Sequence, residues 1–514
     1  MQINVLEYFE HGALAKSRNK VAVIDQGRRF SFGDIESLAK NCAEVILTRT
    51  AETKRPVAVF LPKCAETIVA NLGILYSGNC YANLDVRSPP ERLKAILENL
   101  DATLIITTAK YAGAMRGTGV PNERVLLIEE ATKPALTHDN AALLARIDQV
   151  LDTDPLCIIH TSGSTGIPKG VALNHRGTID FMDWVFGRFE LDGSEIIGSL
   201  SPFYFDIYTL ELYLCLAKGA TLVIFPENSA TFPSKLLDLM EANAVSFVFW
   251  VPTIMVNIAN HELLAKRKLE TLQKIFFAGE VFPTRQLNYW RRQLPHALFV
   301  NLYGPIETSV DCTFFVVDRE MGDDEKLPIG FPCRNTDILI LNERDRPAQV
   351  DEPGELCVRG SSLALGYWNN PERTAQAFVQ NPLNPHYPEL IYRTGDLVHR
   401  NRCGEIMFIG RKDFQIKHLG YRIELGEIEH AVLRVKGVRN CCVVYNQDSK
   451  EIALFYESDR EFSAAGMRVR LLDFLPKYML PTIVERVDTL PRNPNGKIDR
   501  HQLTRACELL ATRK

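Results

Sequence analysis

Residues 161–170, TSGSTGIPKG, are the stretch of this chain whose composition points most directly to chemistry. They place four hydroxyls, three glycines and one lysine in ten positions, directly after the apolar run 156–159. Glycine lets a backbone approach a ligand closely, and hydroxyl and amide donors beside the Lys169 ammonium suit phosphate oxygens, although a flexible linker is the alternative reading. Pro168 before and Gly170 after the lysine differ from a Walker loop. The stretch predicts a polyphosphate-binding loop, called the phosphate loop below.

Further motifs with charged or aromatic side chains follow the phosphate loop in a fixed order. Taken singly, each is compatible with an ordinary surface turn or with core packing. Taken together, they put carboxylates, cations and aromatic rings at intervals along nearly the whole chain. The motifs are FDIYTLEL at 205–212, FFAGE at 276–280, NLYGPIETS at 301–309, YRTGD at 392–396, GRKDFQIKHLGYRIELGEIE at 410–429 and NPNGKIDR at 493–500.

The elements that must position these motifs are predicted from hydrophobic patterning. Between about residues 55 and 305, short β-branched or aromatic runs alternate with helix-like segments, which favours parallel strands joined by crossover helices. One such helix lies in SPPERLKAILENL, with Ser88 as its expected N-cap and prolines at its start. The predicted runs are VAVFL at 57–61, TLIIT at 103–107, TLVIF at 221–225 and VSFVFWV at 245–251.

The hydrophobic patterning and the frequency of glycine-containing turns change twice in the second half of the sequence. After Phe331, short strands and glycine-containing turns predict a β-rich subdomain over about 331–410. From Arg411 onward, a helix, two strands and a helix predict a small α+β unit. The expected fold is therefore α/β, with a large N-terminal domain at 1–410, built of parallel-rich sheets flanked by helices, and a C-terminal domain at 411–514.

Composition excludes several classes of function. The chain has 514 residues, too many for one compact core, and 59 basic against 63 acidic residues leave a net charge of −4 without a basic block for nucleic acid. The 12 cysteines are scattered, which indicates reduced thiols rather than a disulfide framework. Glu7 and Glu10 stand where a signal peptide needs positive charge, and Pro252 interrupts the most apolar stretch. We expect a cytoplasmic protein that binds neither nucleic acid nor membrane.

The ordered motifs resemble those of the adenylate-forming (ANL) superfamily, and specifically a stand-alone amino-acid adenylation domain of nonribosomal peptide synthesis. The resemblance covers nearly the whole chain. It implies an ATP-dependent, AMP-forming ligase with a large N-terminal domain, a small mobile C-terminal domain and an active site in the cleft between them. Such an enzyme converts an amino acid and ATP to an aminoacyl-AMP and pyrophosphate, and then transfers the aminoacyl group to the phosphopantetheine thiol of a carrier protein.

The same resemblance implies how ATP and Mg²⁺ are held. Glu307 and the Thr165 hydroxyl would position Mg²⁺, a cation that prefers oxygen ligands. Asp396 would accept from both ribose hydroxyls with Arg411 beside it, and Tyr303 would stack on adenine. The alternatives are a solvated loop carboxylate, a turn-forming aspartate and a core tyrosine. The implied ATP- or AMP-binding residues are Thr161, Ser162, Gly163, Ser164, Thr165, Gly166, Gly279, Glu280, Asn301, Tyr303, Gly304, Asp396 and Arg411.

Two lysines are implied to be catalytic. Lys169 would neutralise the β- and γ-phosphates, and Lys497, on the C-terminal domain, would bridge the substrate carboxylate and the α-phosphate. Asp413 resembles the hinge about which that domain turns. The turn would remove Lys497 and bring the 410–429 loop, with Gly420 at its point of closest approach, to line a channel for the thiol. A lysine near a chain end is otherwise usually solvated surface.

The substrate is expected to carry an amine, because Asp206 after Phe205 matches the aspartate that pairs with the α-ammonium group in this family. Apart from Asp311, which could face water at the pocket rim, the remaining positions are apolar and favour a small apolar amino acid. Similarity to prolyl-adenylating enzymes favours L-proline; similarity to D-alanine:carrier protein ligases makes D-alanine the second choice. The implied substrate-binding residues are Phe205, Asp206, Ile207, Leu210, Phe249, Phe276, Ala278, Leu302, Val310 and Asp311.

The sequence departs from the family pattern at Ile306, where a threonine is usual, and this removes a hydroxyl near the α-phosphate or adenine. Only fourteen residues follow Arg500, so we expect the carrier protein to be a separate chain. Two rivals stay open. One is an acid:CoA ligase, which Asp206 disfavours. The other is a catalytically silent binding protein, which predicts loss of charged site residues that are in fact present.

Overall fold

The computed structural model describes residues 2–134, 140–163, 168–447, 449–492 and 498–511. Four of the expected site residues, Ser164, Thr165, Gly166 and Lys497, lie outside the described residues. In the described part, no helix is long and apolar enough to cross a membrane.

One sheet spans much of the region in which strands and helices were predicted to alternate. Its inner strands are parallel, and antiparallel strands close both edges. The parallel strands are fully or largely buried because helices cover both faces, as their continuous apolar runs predict. In spatial order the strands are Phe331–Pro332, Thr313–Val316, Leu298–Tyr303, Lys274–Phe277, Phe247–Trp250, Ile196–Ser199, Thr221–Ile224, Val21–Asp25 and Arg28–Ser31.

A second sheet carries the phosphate loop. Strand Pro155–Thr161 leads into the loop and strand Lys169–Asn174 returns from it, antiparallel to the first. The strands on the other side of Pro155–Thr161 are parallel to it or to one another. In spatial order the sheet contains Gly366–Tyr367, Lys169–Asn174, Pro155–Thr161, Cys80–Asn83, Pro56–Phe60, Leu104–Thr107 and Val125–Leu127.

The connecting helices begin where local sequence favours it. Ser31 and Asp34 form a reciprocal capping box at the start of helix Phe32–Arg49. The expectation that Ser88 caps the next predicted helix is wrong: Pro89 is the N-cap and Pro90 the first helical residue, so Ser88 lies one residue too early to reach the first turn. The longer N-terminal helices are Phe32–Arg49, Ala65–Tyr76, Pro90–Leu100, Asn140–Ile147, His175–Arg188, Ile207–Lys218, Pro233–Ala242, Pro252–Asn260, Thr284–Gln293 and Pro371–Ala377; shorter helical turns are Leu6–Tyr8, Phe9–Leu14, Ala15–Ser17, Ala112–Gly117, Asn122–Arg124, Ile128–Ala131, Glu227–Thr231, Leu263–Lys266 and Ile306–Thr308.

The remaining sheets follow the two changes in sequence patterning, after Phe331 and from Arg411 onward. An antiparallel sheet follows Phe331. The C-terminal part has a two-stranded hairpin, a mixed sheet and helices, and its described residues contain three strands and one helix more than predicted. The first contains Thr336–Leu341, Gly354–Gly360, Phe378–Gln380, Leu390–Arg400 and Ile406–Arg411. The C-terminal part contains strands Gln415–His418, Tyr421–Glu424, Val438–Asn446, Glu451–Ser458 and Ile483–Val487, helices Leu425–Leu433, Ala464–Leu471 and Arg500–Ala511, and the turn Lys477–Met479.

Candidate active site

A cavity lies where parallel strands of both large sheets end, the usual position of a binding site in α/β folds. Each strand supplies lining residues just beyond its carboxyl end: Leu84, Val251, Ala278 and Gly304 follow four different strands, and Thr161 ends a fifth. The hairpin of the C-terminal part lines the same cavity with Lys417, Gly420, Tyr421 and Arg422. The topology therefore brings together motifs that are far apart in the sequence.

One end of the cavity is formed by Tyr303, Asp396 and Arg411. Paired antiparallel strands set Asp396 directly opposite Arg411. The Tyr303 hydroxyl donates to Asp396 Oδ2, and Arg411 Nη1 lies 2.5 Å from Asp396 Oδ1. Burial opposes the Arg411 charge, but the neighbouring Asp413 and Asp396 carboxylates raise the pKa of Arg411 above its usual range. A buried, oriented carboxylate in this position can accept hydrogen bonds from ligand hydroxyls.

Glu307 contacts Lys169 at the end of the phosphate loop, is fully buried and has partners on both oxygens. Lys169 Nζ lies 3.1 Å from Oε1, and the Tyr367 hydroxyl donates to the same oxygen at 2.8 Å. Arg422 Nη1, from the C-terminal part, lies 2.7 Å from Oε2. Burial disfavours the Glu307 charge, yet Arg422 and Lys169 outweigh it and hold the pKa of Glu307 well below its usual range. Burial, together with Arg422, lowers the pKa of Lys169 to about 8.

The beginning of the phosphate loop also contacts the C-terminal part. Ser162 Oγ donates to the Arg422 carbonyl at 2.6 Å and accepts from the Glu424 amide at 3.1 Å. The Gly163 amide donates to Glu427 Oε2 at 3.2 Å. Glu427 also pairs with Arg92, and both side chains are buried. The Glu427 carboxylate thus accepts a hydrogen bond from a backbone amide of the phosphate loop, where a phosphate oxygen is expected to bind.

These contacts decide whether Mg²⁺ fits. Among the residues that the structure describes, no group of three or more His, Cys, Asp and Glu side chains could hold a metal ion. Glu307 is a suitable oxygen ligand by type, but Arg422 and Lys169 occupy it with cations. In this arrangement of the chain, Glu307 does not accommodate a divalent cation, and Arg422 would have to leave first. The second expected ligand, Thr165, lies outside the described residues.

The amino-acid side of the cavity is built by helix Ile207–Lys218 and the strand ends. Asp206, the N-cap of that helix, lines the cavity, and burial raises its pKa to about 6 although Lys417 opposes the shift. Phe205, Ile207, Ala278, Val310 and Asp311 line it as well, and so does Ile306. Four other expected pocket residues are buried in the adjoining hydrophobic core rather than on the cavity wall: Leu210, Phe249, Phe276 and Leu302.

The remaining expected residues fall in different places. Gly420 lies against Val251, and its amide donates to Glu280 Oε1 at 2.7 Å. Gly279, at φ +93°, lines the cavity. Asp413 is half-exposed and paired with Arg411 beyond the last strand of the preceding sheet. Asn301 is not brought to the cavity wall: its side-chain amide donates to the Pro328 carbonyl at 2.7 Å.

Sequence reasoning missed several charged residues of the site. Lys417, Arg422 and Glu427 stand inside the 410–429 motif, where their charge beside Gly420 could have marked them. Arg92 lies on a helix expected only to pack on a sheet, and nothing in its own segment indicated a partner more than 300 residues away.

The comparisons with known proteins agree with this geometry. The profile of AMP-binding enzymes matches residues 9–368, and that of the AMP-binding enzyme C-terminal domain matches residues 427–497. The chain belongs to the AMP-binding enzyme family. Among its relatives, tyrocidine synthase 1 of Brevibacillus parabrevis is 31% identical over 491 residues, which are 94% of this chain but only 43% of that protein.

Two solved structures share the fold. IdnL1 is 28% identical with a TM-score of 0.79, over 95% of this chain and 98% of that one. The adenylation domain AlmE of Vibrio cholerae, solved with glycyl-adenosine-5'-phosphate, is 21% identical with a TM-score of 0.84, over 99% and 98% of the two chains. The α/β fold and the superfamily predicted from the motifs are thereby confirmed; the likeness to prolyl and D-alanyl enzymes stays a prediction.

Proposed function

We propose that this chain adenylates an amino acid with ATP and transfers the product to the phosphopantetheine thiol of a carrier protein. One observation carries the proposal: Asp206, suited to an ammonium group, lines the same cavity as the Tyr303, Asp396 and Arg411 cluster, which is suited to a nucleoside. The names of the relatives agree with it, since they include peptide synthases and an adenylation domain solved with an aminoacyl adenylate.

The reaction has two balanced steps. The amino-acid carboxylate attacks the α-phosphate of ATP, forming the acyl–phosphate bond while the bond to pyrophosphate breaks. The carrier thiol then attacks the acyl carbon, losing its proton, and AMP leaves. Asp206 would hold the ammonium group and Asp396 the ribose, so that both reactants stay in line. Mg²⁺, when bound, would neutralise phosphate charge.

The division into residues 1–410 and 411–514, with Asp413 as hinge, belongs to this proposal. Arg422 and Glu427 occupy the polyphosphate end of the site, while Gly420 borders the cavity beside Glu280 and Val251. This arrangement suits the transfer step, in which polyphosphate has left and a thiol must approach. The adenylation step would need the C-terminal part elsewhere, with Lys497 turned toward the α-phosphate.

For the substrate we propose a small amino acid; among small amino acids without a polar side chain, L-proline is the first choice and D-alanine the second. Ile207, Ala278 and Val310 line the cavity with apolar side chains, which suit a small amino acid. A few methylenes discriminate weakly between such substrates. Asp311 is the polar exception among the pocket residues.

ATP–pyrophosphate exchange over a panel of amino acids tests the activity. We expect one preferred small substrate, and loading of a phosphopantetheinylated carrier protein in preference to free coenzyme A, which separates this function from that of an acid:CoA ligase. Exchange with no amino acid would contradict the proposal.

The Lys497→Ala variant tests the assigned catalytic lysine. Loss of a cation that acts only in the transition state should lower exchange by about 100-fold or more, with ATP affinity changed less than about threefold. The exposed Lys436→Ala serves as the matched control. An unchanged exchange rate in the Lys497 variant would remove its role.

A further inference from the structure

Asp311 is a buried acid with an unused oxygen in the substrate cavity. Its exposed fraction is 3%, and its Oδ2 atom has no hydrogen-bond partner in the part of the chain that the structure describes. It lines the same cavity as Asp206. It is therefore not a water-facing rim residue, the reading that the sequence had left open. A buried carboxylate oxygen without a donor is costly, so its presence beside a cavity points to a donor on the ligand.

The chain distorts its backbone to present this residue. Ser309 and Val310, which precede Asp311, have φ values of +53° and +75°, a region that a β-branched residue rarely adopts. Gly304 packs so closely that a Cβ there would lie 2.4 Å from the Asp311 Cα atom. The backbone conformation and the close packing of Gly304 therefore fix the position of the Asp311 carboxylate.

The charged groups that face Asp311 inside the protein are Asp206 and Lys417. Burial and the neighbouring Asp206 raise the pKa of Asp311 well above its usual range, and Lys417 opposes this shift. Lys417 belongs to residues 411–514, which in the proposed function are turned away during adenylation. Selection of the amino acid would then take place with Asp206 and Asp311 facing the substrate alone.

We infer that the substrate carries a second amino group on a short side chain, which donates to Asp311 while the α-ammonium group pairs with Asp206. The inference rests on the proposed function and refines its substrate. A charge-assisted hydrogen bond satisfies a buried carboxylate better than a hydroxyl does. The side chain must be short because Asp206 and Asp311 line the same cavity and lie close enough for Asp206 to raise the pKa of Asp311. Small diamino acids are thereby placed ahead of L-proline and D-alanine, which have no second donor.

The test is amino-acid-dependent ATP–pyrophosphate exchange with the full chain and closely matched substrates. The panel contains L-2,3-diaminopropionate, L-2,4-diaminobutyrate, L-2-aminobutyrate, L-serine, L-proline and D-alanine. We expect a diamino acid to exceed 2-aminobutyrate, which has nearly the same shape as diaminopropionate, by about 100-fold in kcat/KM. In Asp311→Ala and Asp311→Asn this preference should fall below about fivefold, since the second amino group loses its acceptor.

Two controls show whether a change in substrate preference is specific to Asp311. Thermal unfolding should show that the Asp311 variants are folded, and the exposed Asp324→Asn should leave the substrate order unchanged. Preference for 2-aminobutyrate, serine, proline or D-alanine would overturn the inference and leave the proposed function standing. So would a diamino preference that survives in Asp311→Ala. Exchange with no amino acid at all would overturn the proposed function, and this inference with it.

Discussion

Two parts of the active site, the surroundings of Glu307 (the phosphate end) and those of Asp206 and Asp311 (the amino-acid end), differ in how their carboxylates are satisfied. At the phosphate end, Glu307 has partners on both oxygens, and one of these partners, Arg422, comes from the C-terminal part. At the amino-acid end, Asp206 and Asp311 line the cavity, and one oxygen of Asp311 has no partner among the described residues. The phosphate end is complete without a ligand, whereas the amino-acid end lacks a donor.

This difference separates what the C-terminal part controls from what the N-terminal part controls. Arg422 and Glu427 carry charges that can stand in for Mg²⁺ and for a phosphate, so the position of the C-terminal part decides whether polyphosphate can bind. No such stand-in hydrogen-bonds the unused oxygen of Asp311 in the described chain. Amino-acid recognition should therefore depend mainly on the N-terminal core, to which the C-terminal part adds the charge of Lys417, whereas phosphate binding should depend on domain arrangement.

The largest expected effect comes from removing the ammonium partner. Asp206→Ala should lower kcat/KM for every amino acid in exchange by about 1,000-fold, because a desolvated ammonium group would be left unpaired. ATP binding should change little, since the Asp206 side chain accepts from the Ile207 amide and not from the described residues that are expected to hold ATP. Exchange kinetics and ATP titration together measure this, with Asp324→Asn as control. Equal losses of amino-acid and ATP affinity would show that the two ends are not independent.

Arg422→Ala tests the phosphate end. Without the Arg422 cation, Glu307 can accept Mg²⁺, and the arrangement of the C-terminal part seen here becomes less populated. The apparent affinity for MgATP should therefore rise about three- to tenfold. Transfer to the carrier thiol should fall about 30-fold for the same reason. Nucleotide titration measures MgATP binding, and rapid-mix loading assays measure transfer to the carrier. Arg439→Ala, at an exposed arginine, is the control. Weaker MgATP binding would contradict competition between Arg422 and the metal.

The elements of the N-terminal part could be predicted because their physical cause is local. Runs such as 57–61 and 221–225 are apolar throughout, as strands covered on both faces must be, and both form buried parallel strands. The candidate cavity residues Asp206, Tyr303 and Asp396 followed from ordered motifs; Asp206 caps a helix, and Tyr303 and Asp396 lie in strands. Ser88 failed as a cap because Pro89 and Pro90 shift the start of the helix.

The unpredicted features depend on contacts between distant segments. That Arg422 reaches Glu307, and Arg92 reaches Glu427, depends on how the C-terminal part sits on the core, which no local pattern encodes. Phe249 and Phe276 were predicted to line the pocket, yet both are fully buried in the close-packed hydrophobic core.

A smaller effect is expected where the C-terminal hairpin meets the core. Gly420 has φ +81°, and a Cβ there would lie 2.9 Å from a Val251 side-chain atom. Gly420→Ala should therefore disfavour this arrangement and lower carrier loading about tenfold, with a smaller change in exchange. Gly404→Ala, at φ +79° but with open space around it, is the matched control for backbone strain alone. Equal losses in both variants would assign the effect to strain instead of contact.

The smallest effect is a pH dependence confined to the amino-acid end. Burial raises the pKa of Asp206 to about 6, with Lys417 opposing. Below pH 6 the free enzyme holds a neutral Asp206 that cannot pair with an ammonium group, so kcat/KM for the amino acid should fall up to tenfold per pH unit.

The raised pKa of Asp206 has the reverse consequence for the free energy of unfolding. The stabilisation that comes from protonated Asp206 is complete below the unfolded-state pKa and is lost as the pH rises through 6. Thermal unfolding of Asp206→Asn should thus show a gain over the native chain at pH 7.5 that shrinks at pH 5. A gain that grew on acidification would mean that Asp206 is ionised in the empty cavity, as well paired as Glu307 at the other end.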